Sequence, residues 1–333
     1  MEQEFTAFRL DKSDGGIVAG FQRMSTDALT EGDVLIRAQY SGINFKDALA
    51  ATGAGKILRR FPLNGGIDVS GVVEHSDDPR FRAGDTVLVT GCGLSEEYDG
   101  GYAEFVRARG DWVIHVPTGL DAYAVMALGT AGFTAALAVH RMEQNGQSPE
   151  RGPIAVTGAS GGVGSLALDM LAGRGYDVVA ISSKKAAISY LEELGASRVL
   201  HPADIDFGRR PLEKALWAGA IDNLGGEFLT WLTRTTDFWG NIASIGLASS
   251  HELNTTVMPF ILRGVSLLGI NSVETPRPLR EVVWKRLADD LKPPHLERIA
   301  NRRIRFDELP GAFQDYLDGN VTGRTVVEIQ TAQ

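Results

Sequence analysis

Residues 154 to 164 read Ile-Ala-Val-Thr-Gly-Ala-Ser-Gly-Gly-Val-Gly, a stretch well suited to holding a phosphorylated ligand. A β-branched apolar run ends in the glycines, and an Ala/Leu-rich segment follows from Ser165 to Ala172. That order predicts a strand, a tight turn and a helix. Gly158, Gly161, Gly162 and Gly164 let the backbone bend and approach a ligand with no Cβ in the way. The helix behind them points its unpaired N–H groups and the positive end of its dipole at the turn, a seat for pyrophosphate. An isolated glycine triplet would read as a connecting loop. Set between strand and helix, this one reads as a dinucleotide site.

The next strand, Asp177 to Ile181, runs into Ser182-Ser183-Lys184-Lys185. A site for NAD places Asp or Glu about 20 residues beyond the glycines, where it accepts bonds from the ribose 2′-hydroxyl. Hydroxyls and cations stand there instead. They suit a 2′-phosphate that a carboxylate would repel. Two lysines opening a solvated helix are the plainer alternative, yet the missing acid and the present cations together predict NADPH.

These segments need a frame to hold them. At 333 residues the chain exceeds the usual size of a single core, so two domains are expected. A composition 44% apolar and 23% charged is that of a globular enzyme. Net charge of −9 argues against nucleic acid or an anionic membrane as the main partner. The acidic first residues carry no secretory core, and no uninterrupted apolar run approaches the ~18 residues of a membrane span, so a cytoplasmic protein is expected. Cys92 is the only cysteine, which leaves no intramolecular disulfide and no multi-thiolate zinc site.

Short strands are expected before Pro117, at 34–38, 69–74, 86–89 and 102–107, each set off by turn residues in a compact barrel-like β domain. A long helical region, Ala122 to Met142, is broken near Gly129–Gly132. From Pro153 the chain alternates. Strands are expected at 153–157, 177–182, 198–200, 219–223, 240–245 and 265–270. Helices are expected near 163–174, 184–194, 211–217, 226–236 and 255–262. This alternation predicts a parallel sheet covered on both faces, with ligand at the carboxyl ends of its strands. Helices at 282–291 and 308–317 and a last strand at 324–329 then return to the first domain.

Longer segments resemble one family along most of the chain. Glycines 158–164, Gly129-Thr-Ala-Gly-Phe-Thr-Ala135 and Leu194-Gly-Ala196 are similar to medium-chain dehydrogenase/reductases of the quinone-oxidoreductase branch. Asn44-Phe-Lys-Asp-Ala-Leu-Ala50, Asp78-Pro-Arg-Phe81, Gly110-Asp-Trp112, Ala218-Gly-Ala-Ile-Asp222 and Val257-Met-Pro-Phe-Ile-Leu-Arg-Gly264 resemble its NADPH-dependent acryloyl-CoA reductase subgroup. The resemblance implies an α/β protein: a GroES-like β-rich catalytic domain from residues 1–122 and 272–333, and a Rossmann doubly wound parallel sheet from 123–271. It also implies a homodimer that pairs sheet edges through Val265–Ile270, a run that taken alone could be a buried strand. Zinc-dependent relatives carry Cys early in the first domain and a Gly-His-Glu run about twenty residues later. Here Asn44 and Gly66-Ile67-Asp68 stand in those places, so no metal is expected. Gly65 departs from the subgroup, which more often has Pro there.

For such a chain the resemblance implies hydride transfer from NADPH to the β-carbon of acryloyl-CoA, giving propionyl-CoA. Charge then develops on the thioester oxygen as an enolate, which calls for hydrogen-bond donors there and a proton for the α-carbon. Asn44 is the expected donor, although capping of a helix opening at Phe45 explains it locally. Phe45 is expected to pack on the nicotinamide. Asp47 is expected to cap that helix or orient Lys46, with direct proton donation the weakest option. Arg324 is expected at the enolate or a cofactor phosphate, or else as a strand-surface cation. Cofactor contacts implied are Thr130, Thr134, Ser160, Gly161, Gly162, Val163, Gly164, Ser183, Lys184, Lys185, Leu247, Ile261, Ser272 and Asn320. Lys56, Arg59 and Arg60 form a basic cluster suited to CoA phosphates, or a solvated loop face. A quinone reductase is the nearest rival, and a non-catalytic NADPH-binding protein a more distant one.

Overall fold

Turn-bounded β-branched runs in the first part of the chain fold as antiparallel strands. In the computed structural model, which describes residues 3–330, β1 (Glu4–Ser13) and β2 (Gly16–Ser25) form a hairpin, with β4 (Leu63–Asn64) on the other side of β1. A larger sheet has β3 (Val34–Ile43) near its middle. It runs in the order β15 (Arg302–Arg305), β16 (Thr325–Glu328), β3, β5 (Asp68–Ser76), β6 (Thr86–Thr90) and β8 (Ile114–His115), and β7 (Phe105–Ala108) also pairs with β3. Inward residues such as Phe5, Phe8, Ile36, Val69, Val87 and Phe313 make one apolar core. Because β16 lies antiparallel on β3 with Thr325 opposite Ile43, Arg324 arrives beside the residue after β3, Asn44. That residue starts α1 (Phe45–Thr52), which stops at Gly53 in the left-handed conformation with φ of 73°.

The chain divides into two compact units. The one just described takes the chain up to Thr130, Val273–Ala288 and the part from Leu296 onward, while the other takes Ala131–Ser272 and Asp289–His295. In the second unit every strand is parallel: β9 (Ile154–Thr157), β10 (Val178–Ile181), β11 (Ala196–Leu200), β12 (Trp217–Asp222), β13 (Thr236–Ser244) and β14 (Ser266–Gly269). Their spatial order is β11-β10-β9-β12-β13-β14, so the winding reverses between β9 and β12. Ligands of such sheets bind at that reversal, beyond the carboxyl ends of the strands. The crossover helices include α3 (Gly162–Gly173), α4 (Ile188–Glu193), α5 (Gly226–Thr235) and α6 (Met258–Arg263).

Several expectations need correction. No helix forms at 211–216, and Trp217 already opens β12; the segment instead folds round Glu213, whose carboxylate accepts bonds from the N–H groups of Arg209 and Arg210 and from the Arg210 side chain. The helix expected at 282–291 is α7 (Arg277–Leu287), opened by prolines 276 and 278, which fit a first helical turn. The strand expected at 102–107 begins at Phe105. The Ala122–Gln144 helix has an 18-residue window of mean hydropathy 1.7, which is apolar enough to cross a membrane; 83% of that window is buried inside the fold, and Gly129 (φ 53°, ψ −158°) breaks the helix. Asp289–His295 packs with the second unit because Asp169, 1% exposed, accepts bonds from His295 N at 2.9 Å and Nδ1 at 2.7 Å, and Arg174 pairs with Asp290 at 3.1 Å.

Candidate active site

In the first unit a buried polar network gathers at the start of α1. Asn44 is the N-cap residue, and the Asp47 carboxylate accepts its backbone N–H at 2.8 Å, one arm of a capping box. Asp47 also accepts from Ile67 N at 3.0 Å and from Asn44 Nδ2 at 3.2 Å. The other reach of the Asn44 amide is to Asp68 Oδ2, at 2.8 Å. Its oxygen accepts from Arg324 Nη1 at 2.9 Å. Thr130 donates to the same Asp68 twice, from its backbone N at 3.0 Å and from Oγ1 at 2.5 Å. Asp68, Asp47 and Arg324 are 0%, 2% and 2% exposed.

Two expectations change with this geometry. The Asn44 amide was expected to donate to a substrate oxygen, yet its N–H groups meet two internal carboxylates. Arg324 was expected at the enolate or a phosphate, or on a strand surface. Instead it is buried and donates to the carbonyls of Ile43, Ala127 and Met126 as well as to Asn44. It positions other groups. For Asp47 the capping reading holds, because Lys46 pairs with Glu96 at 2.8 Å instead. Burial, and after it the negative charge of Asp68, pushes the Asp47 carboxyl up to about 7. Both of its oxygens accept bonds inside the protein, an arrangement suited to positioning. Phe45, by contrast, is 47% exposed at the first position of α1.

In the second unit, the turn after β9 has the conformation a pyrophosphate seat needs. Gly158 sits at φ of 59°, and a Cβ on Gly164 would lie 2.3 Å from Gly158 O, so neither tolerates a side chain. Gly161 faces open space apart from that one carbonyl, leaving the backbone before α3 accessible. Ser160 Oγ lies 3.0 Å from Ser182 Oγ, joining the glycine turn to the end of β10. Ser183 and Lys185 there are exposed, and partial burial lowers the pKa of Lys184. Leu247 and Ser272 follow the carboxyl ends of β13 and β14. These groups fit a dinucleotide carrying an extra phosphate.

Other expected residues lie elsewhere in their units. Thr134 is buried in the long helix, Ile261 is 72% exposed on α6, and Asn320 is exposed just past α9 (Leu309–Leu317). Lys56, Arg59 and Arg60 are exposed; Arg59 pairs with Glu97 at 2.6 Å, and an open cavity of about 510 Å³ is lined by Arg59 and Arg60 with Glu31, Glu97, Thr30 and Tyr98. The basic cluster is therefore partly neutralised. Sequence reasoning missed Asp68 as a site residue. A lone Asp gives no periodic or spacing signal, and only the fold brings Thr130 to it.

A family model for the alcohol dehydrogenase GroES-like domain matches residues 30–118, and one for zinc-binding dehydrogenases matches residues 162–289. The chain is 41% identical to the acrylyl-CoA reductase AcuI of Ruegeria pomeroyi, over 98% of this chain and 99% of that one. The chain belongs to the medium-chain dehydrogenase/reductase family, in its acryloyl-CoA reductase subgroup. Among solved structures, Escherichia coli YhdH with bound NADPH has a TM-score of 0.94 and 46% identity, covering 97% of this chain and 100% of that one. Bacillus subtilis YhfP, named a quinone oxidoreductase and solved with NAD bound, has a TM-score of 0.96 and 45% identity, covering 98% and 100%. The expected fold class, a GroES-like β-rich domain and a Rossmann sheet, agrees with both matches.

Proposed function

We propose that this protein reduces the carbon–carbon double bond of acryloyl-CoA to give propionyl-CoA, with NADPH as reductant. The observation that carries the reading is the near full-length similarity to an acrylyl-CoA reductase. When bound, NADPH would supply the hydride for the β-carbon, and a proton taken up at the α-carbon would complete the reduction. The glycine turn and α3 hold the pyrophosphate, and Ser183, Lys184 and Lys185 hold the 2′-phosphate. Thr130, Thr134, Leu247, Ile261, Ser272 and Asn320 serve the rest of the cofactor, and Phe45 its nicotinamide. With the Asn44 amide engaged internally, and with the N–H groups of Asp47 and Ala48 taken by the Asn44 carbonyl, the N–H groups of Phe45 and Lys46 at the start of α1 are the backbone donors suited to the enolate oxygen. Lys56, Arg59 and Arg60 meet the CoA phosphates, weakened by the acids beside them.

The reaction in this reading uses no zinc. Asn44 and Ile67 offer no metal-binding sulfur or imidazole, and the Arg324 guanidinium, 3.8 Å from Asp68 Oδ2, already brings a fixed positive charge to their neighbourhood. The enzyme works in the cytoplasm, beside the pools of NADPH and CoA thioesters, as a homodimer paired through β14.

The test is NADPH oxidation with acryloyl-CoA, crotonyl-CoA and longer enoyl-CoA thioesters, run beside 1,4-benzoquinone. Turnover with acryloyl-CoA should exceed that with the quinone at least about tenfold in kcat/KM, the margin of one good specific contact. Preference for the quinone would move the protein to the rival activity, and no turnover with any acceptor would leave only nucleotide binding.

A further inference from the structure

We propose that Asp68 is a positioning residue for the reduction: one buried carboxylate fixes both the Thr130 hydroxyl and the Asn44 amide in a single orientation. The inference rests on the activity proposed above, and its evidence is geometric. Asp68 is the first residue of β5 and has no exposed surface. Its backbone is held as well, because Ser41 Oγ donates to its carbonyl at 2.7 Å. Its two carboxylate oxygens take three hydrogens, from Thr130 N, Thr130 Oγ1 and Asn44 Nδ2. The elements that carry those donors, α1 and the kink in the long helix, are distant in sequence. Asp68 is the group they share.

The kink leaves room for this contact. Gly129 has φ of 53°, and a Cβ there would lie 2.7 Å from Asp68 Oδ2 and 2.5 Å from Arg324 Nη2. Gly42 is similarly constrained, since its Cβ would lie 2.7 Å from the same guanidinium nitrogen. Two glycines thus clear space for a carboxylate and a guanidinium at full burial. A buried charge is costly and adds little net stability even when paired, so its retention suits a role in orientation. The consequence for chemistry is specific. The Thr130 proton is committed to Asp68, so toward any ligand that hydroxyl oxygen acts as an acceptor. The Asn44 protons are committed to Asp47 and Asp68, so that side chain does not compete for the substrate oxygen.

The experiment is a double-mutant cycle on Asp68→Asn and Thr130→Val, measuring kcat and KM for acryloyl-CoA at saturating NADPH, with Thr130→Ser as the conservative control. Asp68→Asn should lower kcat about tenfold or more, the loss expected when a hydrogen bond to a charged group is misdirected. The double variant should lose little beyond either single variant, because both changes break one unit. Thr130→Ser should stay within about threefold of the wild type in kcat, well inside the effect of losing one such bond. Additive losses, a folded Asp68→Asn enzyme with wild-type kcat, or equal activity of Thr130→Val and Thr130→Ser would overturn the proposal. If Asp68→Asn does not fold, the Thr130 pair decides alone. Wild-type turnover in the same assay separates this outcome from failure of the proposed activity; where a quinone proves to be the acceptor, the cycle is read on quinone turnover.

Discussion

At the scale of single residues, two buried carboxyl groups flank one amide, Asp47 and Asp68 beside Asn44. Asp47 carries the clearest consequence. Its carboxyl is raised from 3.8 to about 7, by burial first and by Asp68 second. A raised folded-state pKa means that the protonated form is favoured in the native protein. The stability it contributes is complete below pH 3.8 and is lost as pH rises through about 7. Urea unfolding of the wild type should therefore show stability falling over that window relative to Asp47→Asn, by up to about 1.4 kcal/mol per pH unit. A difference between the two proteins that does not vary with pH would refute the assignment. The local capping role of Asp47 is legible from Asn-x-x-Asp spacing. Its raised pKa is not, because the repelling neighbour lies in another strand.

At the scale of elements, the second unit follows its sequence closely, since short β-branched apolar runs such as Ile154–Thr157 and Val178–Ile181 form its buried parallel strands. The glycine turn, α3 and the Ser-Ser-Lys-Lys end of β10 are local devices, so the proposed nucleotide site is readable in one dimension. Replacing Lys184 and Lys185 together by alanine should raise KM for NADPH about tenfold or more and leave KM for NADH nearly unchanged, because only the 2′-phosphate loses its partners. Equal changes for both nucleotides would place those lysines outside the 2′-phosphate site. Local signals misled where a turn was organised by one side chain: Glu213 gathers N–H groups that a helix over 211–216 would have used otherwise. The helix expected at 282–291 starts earlier, at Arg277, because prolines 276 and 278 open it.

At the scale of the whole molecule, β14 ends the parallel sheet, and its residues alternate between half-buried and exposed, Leu267 being 36% exposed. Trp239 and Ile261, 70% and 72% exposed, add apolar surface on neighbouring elements of that unit. An open strand edge of this kind invites pairing with another chain. Sedimentation equilibrium should find a dimer that Leu267→Glu converts largely to monomer; a monomeric wild type, or a charged variant that stays dimeric, would remove the edge as the interface. The sequence by itself determined the fold class, the glycine turn and the expectation of NADPH, because periodicity, glycine placement and charge act over a few neighbouring residues. Only the tertiary structure decided what Asn44, Asp68, Thr130 and Arg324 do. Their bonds join β3, β5, β16 and the helix kink across gaps of 24 to 280 residues, and the direction of a hydrogen bond at that range is set by folding.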